Sequence, residues 1–103
     1  MSKLVRNNIP EIIARDLGTF PKIHLAHDKE LIWALDDKID EEVAELRGSS
    51  TIEGAMSEIA DIIEVLLTIA MRAGYTSEKI ERIRLQKRAE RGGFERGIIL
   101  DDY

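Results

Sequence analysis

The sequence predicts an all-α protein, a helical bundle of three main helices plus a short N-terminal helix, completed by oligomerisation. Three observations lead there. Both prolines, Pro10 and Pro21, fall in the first fifth of the chain, so nothing downstream forbids long helices. Apolar residues then recur with the helical period over two long stretches. Glycines and capping residues punctuate the chain where those stretches end.

The elements follow in order. Ile9 to Asp16 reads as a short helix, with Asn8 as its cap and Pro10 tolerated in the first turn. Leu17 to Pro21 ends it, and Lys22 to His27 is a connector. Asp28 is expected to cap a helix running to about Arg47, closed by Gly48. Ser50 or Thr51 caps the next, which reaches about Ala73 and is closed by Gly74. These two helices each have ~20 residues and a length of ~30 Å, which suits half of a bundle finished by a second subunit. Thr76 caps the last helix. Its acids, Glu78 and Glu81, come early and its bases, Arg82, Arg84, Lys87 and Arg88, come late, an order that complements the helix dipole. Gly92-Gly93 stops it, and the apolar tail Ile98-Ile99-Leu100 is expected to pack on the body or on a partner.

Composition narrows the function classes. At 103 residues the chain is expected to be a single domain, residues 1–103, with a modest core. It has no cysteine, which excludes disulfides, thiolate metal sites and a cysteine nucleophile. Its net charge of −5 and its 5% aromatic content argue against a protein that grips a nucleic acid polymer. No apolar run is long enough for a membrane span and no secretory signal stands at the N-terminus, so the expectation is a cytoplasmic protein without membrane contact.

Helical wheels single out two pairs of acids. On the Asp28–Arg47 helix, Leu31, Leu35, Leu46, Ile39, Ile32 and Val43 form one apolar arc. Glu42 falls inside it, roughly 20° from Leu31, with Lys38 and Glu45 just beside it and Glu41 further toward water. The following helix is apolar around most of its circumference and reads as the buried central helix. Glu58 interrupts its apolar positions between Val65 and Ile69, and Asp61 stands at i+3 on the same edge. For Glu41, Glu53 and Glu64, pairing with Lys on a solvated face is the usual explanation. Glu42 and Glu58 are different, because an ionised carboxylate within an apolar stripe must be paired or bound to metal.

Two acidic pairs on adjacent helices have few cations to share, so a divalent cation between them is the economical solution. Carboxylates without His or Cys favour Mg²⁺, with Mn²⁺ as the alternative. The spacings end in Glu45 and Asp61 and not in His, which disfavours a ferritin-like di-iron site, and no EF-hand loop is present. Carboxylate-held Mg²⁺ commonly serves phosphate chemistry. Phosphate also calls for cations, and Lys38, Arg6, Arg88 and Arg91 are the candidates, with Gly92-Gly93 allowing close backbone approach.

Glu41-Glu42-x-x-Glu45, twelve residues, then Glu58-x-x-Asp61 resembles the signature of the MazG-like and phosphoribosyl-ATP pyrophosphatase-like all-α nucleoside triphosphate pyrophosphohydrolases. Lys3-Leu4-Val5-Arg6 with Ile9-Pro10-Glu11-Ile12-Ile13 resembles the opening of one subgroup, and Lys87-Arg88-Ala89-Glu90-Arg91-Gly92-Gly93-Phe94 its closing motif. The resemblance implies a Mg²⁺-dependent hydrolase that cuts a nucleoside triphosphate between its α and β phosphates, leaving monophosphate and pyrophosphate, in a housecleaning role against non-standard nucleotides. It implies metal on Glu42, Glu45, Glu58 and Asp61, with Glu41 a weaker ligand or a group acting on water. Glu41 or Glu45 would be the catalytic base, and Lys38, Arg6, Arg88 and Arg91 would bind phosphate. It further implies a homodimer or homotetramer. The subgroup usually has Asp-Lys where Asn7-Asn8 stand here, which puts substrate choice in doubt and leaves the metal signature intact. The alternatives are phosphoribosyl-ATP pyrophosphohydrolase of histidine biosynthesis, and a metal-binding or interaction module without turnover. Trp33, Phe20, Phe94, Tyr75 and Tyr103 are the side chains able to stack on a base.

Overall fold

The computed structural model describes residues 2–102. Among them are four α-helices and no strand: α1 (Ile9–Leu17), α2 (Asp28–Gly48), α3 (Ile52–Arg72) and α4 (Ser77–Arg91). None is long and apolar enough to cross a membrane. The chain divides into two compact units. Residues 1–65 hold α1, α2 and α3 as far as Val65; residues 66–103 hold the last turns of α3, α4 and the tail.

The helix ends show which local rules operate. Asn8 occupies the cap of α1, but its backbone is already helical, and its side chain makes no capping bond. The turn is set instead by Ile9 N–H donating to the Arg6 carbonyl at 3.1 Å. Asp28 does not cap α2; His27 does. Its extended backbone lets Nδ1 accept from Glu30 N–H at 3.3 Å. Gly48 is the last helical residue and not the αL cap: Ser49 follows in extended conformation, and its hydroxyl donates to the Glu45 carbonyl at 3.0 Å. With that carbonyl satisfied, a left-handed glycine is unnecessary.

Two caps match the sequence reading. Thr51 Oγ1 accepts from Gly54 N–H at 3.0 Å to start α3, and Thr76 Oγ1 accepts from Lys79 N–H at 3.2 Å to start α4. Gly74, at φ 88°, closes α3 in a Schellman arrangement: Gly74 N–H donates to the Met71 carbonyl and Tyr75 N–H to the Ala70 carbonyl, each at 3.0 Å.

Burial departs from the wheels. Of the arc on α2, Leu35 is buried, Leu31, Ile39, Val43 and Leu46 are half-buried, and Ile32 is exposed. On α3 Val65 is buried, while Ile52, Met56, Ile59 and Ile63 remain in solvent, so α3 is not enclosed within one chain. The tail residues Ile98, Ile99 and Leu100, expected to pack on the body or on a partner, are exposed.

Candidate metal centre

Helical spacing delivers the acids. Glu41, Glu42 and Glu45 lie within little more than one turn of α2, and Glu58 and Asp61 within one turn of α3. All five belong to the first compact unit. They form two three-carboxylate groups, Glu41/Glu42/Glu45 and Glu42/Glu58/Asp61, and within each group one oxygen per residue lies within 4.8 Å of the others. Glu42 belongs to both.

Glu42 is also the buried charged residue among those described, only 5% exposed, as its place inside the apolar arc of α2 requires. Its Oε1 meets Lys38 Nζ at 3.3 Å, and Lys38 Nζ also donates to Glu41 at 3.2 Å. Partial burial works against the Lys38 ammonium, but the bonds to Glu41 and Glu42 outweigh it and hold its pKa above the ordinary value. The other oxygen, Glu42 Oε2, is buried with no hydrogen-bond partner, and so is Glu58 Oε2. The closeness of Glu42, then partial desolvation, then Glu45, push the Glu58 carboxyl up from 4.5 to about 7. The two orphaned oxygens can be satisfied by a proton held between Glu58 and Glu42 or by a cation.

Asp61 is engaged from an unforeseen direction. Arg6, which precedes α1, donates through Nη2 to Asp61 Oδ1 at 2.5 Å across 55 residues of sequence. That bond, ahead of the surrounding carboxylates, holds the Arg6 guanidinium above its ordinary pKa, and Glu64 adds to the effect despite its solvated-face position. Among the described residues, Lys38 and Arg6 are the cations paired with these five carboxylates.

The remaining sequence candidates divide. The wheel placed Glu45 nearer the core than Glu41; the reverse holds, with Glu41 half-buried under Lys38 and Glu45 exposed. Arg88 lies in the second unit and holds Glu95 through two bonds of 2.9 and 3.3 Å. Arg91 is exposed in the last turn of α4. Trp33, Phe20, Phe94 and Tyr75 are exposed, and Tyr103 lies outside the described residues. No sequence signal marked the Arg6–Asp61 pair, because only the fold brings those segments together.

The donor set fits a hard cation. Every ligand atom is a carboxylate oxygen, as Mg²⁺ and Mn²⁺ prefer, and two of those oxygens are buried and unpartnered.

No protein-family model matches the chain. A protein of Mycolicibacterium smegmatis, described only as uncharacterized, is 50% identical over 56 residues. The match covers 54% of this chain and 56% of that protein, so the chain spans about half the length of its relative. No solved structure matches.

Proposed function

We propose that this protein is a Mg²⁺-dependent nucleoside triphosphate pyrophosphohydrolase releasing nucleoside monophosphate and pyrophosphate, as the resemblance to the MazG-like family implies. The observation that supports this reading most is the buried, unpartnered Glu42 Oε2 beside the equally unpartnered Glu58 Oε2. Glu42, Glu45, Glu58 and Asp61 would hold the metal. Bound there, Mg²⁺ (or Mn²⁺) would neutralise triphosphate charge and lower the pKa of a water.

The chain's own groups supply the rest. Lys38, anchored by Glu41 and Glu42, presents an ammonium at the edge of the cluster for a phosphate oxygen. Arg6, released from Asp61, would offer a second cation to the same phosphate chain. Glu41 is held by Lys38, whereas Glu45 is exposed. Glu45 is therefore the better placed base to take the proton of the attacking water and pass it to solvent. Cleavage then breaks the bond between the α phosphorus and the bridging oxygen, and the leaving pyrophosphate departs toward the cations.

The test is a panel of standard and modified nucleoside triphosphates, with phosphoribosyl-ATP included, and separate detection of pyrophosphate and orthophosphate. Pyrophosphate plus monophosphate, lost on chelation and lost in Glu58→Gln and Asp61→Asn with helicity retained, is the expected result. Mg²⁺ binding with no product from any member would make the protein a metal binder without turnover.

A further inference from the structure

Each of the two carboxylate groups already holds a cation of the chain's own. In Glu41/Glu42/Glu45 it is Lys38, which meets Glu41 at 3.2 Å and Glu42 at 3.3 Å. In Glu42/Glu58/Asp61 it is Arg6, which meets Asp61 at 2.5 Å. The two are held differently. Lys38 stands on α2 with its partners three and four residues on, and its side chain is 18% exposed. Arg6 stands in the segment 2–8, which belongs to no helix, and its side chain is 55% exposed. Along that segment Ser2, Lys3, Val5 and Asn7 are exposed too, and Leu4 is half-buried.

We propose that Arg6 is a displaceable counter-ion: a divalent cation entering the Glu42/Glu58/Asp61 group expels its guanidinium from Asp61 and frees the N-terminal segment. A guanidinium and a divalent cation on the same carboxylate repel each other. The divalent cation brings Asp61 the greater charge. It also gives partners to Glu42 Oε2 and Glu58 Oε2, which are buried and unpartnered while Arg6 holds Asp61. Arg6 loses little, because an exposed ion pair is weak and water receives the guanidinium. Lys38, with two partners and little exposure, stays.

This latch rests on the proposed reading of the cluster as a cation site, and it adds an order of events. The cation enters first, and only then is the Arg6 guanidinium free to meet a phosphate. Coupling of this kind is reciprocal. A tightening of cation binding by about two- to fivefold on loss of Arg6 means that the undocked form makes up about 20–50% of the metal-free protein. Saturating cation should therefore raise the released fraction by about two- to fivefold.

The chain has no cysteine, so Ser2→Cys carries a single fluorophore at the far end of the segment. Its anisotropy should fall as Mg²⁺ is added, over the concentrations at which calorimetry records binding. With Arg6→Gln in addition, the anisotropy should be low from the start and flat, while the cation still binds. Glu58→Gln takes a carboxylate from the group and leaves Asp61 to Arg6, so the segment should stay docked at Mg²⁺ concentrations that free it in wild type. Hydrogen exchange at the amides of residues 2–6 reads the same release without a dye. Mg²⁺ that binds while anisotropy and exchange stay unchanged, or an equal fall with Arg6→Gln, overturns the latch and leaves the pyrophosphohydrolase reading standing. Absence of cation binding overturns both. Release of the segment with no pyrophosphate from any nucleotide supports the latch and overturns that reading alone.

Discussion

Replacing Glu42 by Gln leaves the shape of the side chain and removes one charge from the carboxylate cluster. Two terms set the outcome without metal. Glu42 Oε2 and Glu58 Oε2 are both buried and unpartnered; an unsatisfied buried group costs about 1–3 kcal/mol. The introduced amide can donate to Glu58 and relieve that cost. Against it, Lys38 loses one of two partners but keeps Glu41 at 3.2 Å, a loss of about 0–1 kcal/mol for a partly exposed pair. The net is a gain of about 0–3 kcal/mol, each kcal/mol raising Tm by about 4–8 °C for a chain of this size. The metal term has the opposite sign. Wild type should gain about 2.7 kcal/mol at a Mg²⁺ concentration a hundred times the Kd, and the variant should gain almost nothing. Thermal unfolding with EDTA and with Mg²⁺ reads both. A variant less stable than wild type in EDTA, yet equally stabilised by Mg²⁺, would refute the reasoning.

Other outcomes follow from the same cluster. Glu58 is raised from 4.5 to about 7 in the folded chain, so the native state holds a proton that the unfolded state has released. Stability without metal should therefore be full below about pH 4.5 for this group and fall as pH rises through 7; denaturant titrations across that window should flatten in Glu58→Gln. Arg6→Gln removes the cation that occupies Asp61 and should tighten Mn²⁺ binding by about two- to fivefold, as expected for an exposed pair. Calorimetry measures it, and Arg6→Lys should fall between wild type and Arg6→Gln.

Much of the fold is written in short-range chemistry. Thr51, Thr76 and Gly74 act through bonds to residues at most five positions away, so their caps were legible from the sequence. Where several local options competed, the detail of the local backbone decided. His27 displaced Asp28 as the cap of α2, and the Ser49 hydroxyl made a left-handed Gly48 unnecessary. The site divides along the same line. Glu42 and Glu58 were recognisable because helical periodicity placed a charge where only apolar side chains belong.

The exchange of environment between Glu41 and Glu45, the sharing of Glu42 by two carboxylate groups, and the grip of Arg6 on Asp61 across 55 residues came only from the tertiary structure. Periodicity reports which face of a helix a residue occupies. It carries no information about what another helix or a distant segment brings to that face. The same limit explains α3. Its sequence specifies a helix that is apolar nearly all round, and so one that should be enclosed. In the folded chain Ile52, Met56, Ile59 and Ile63 are exposed instead.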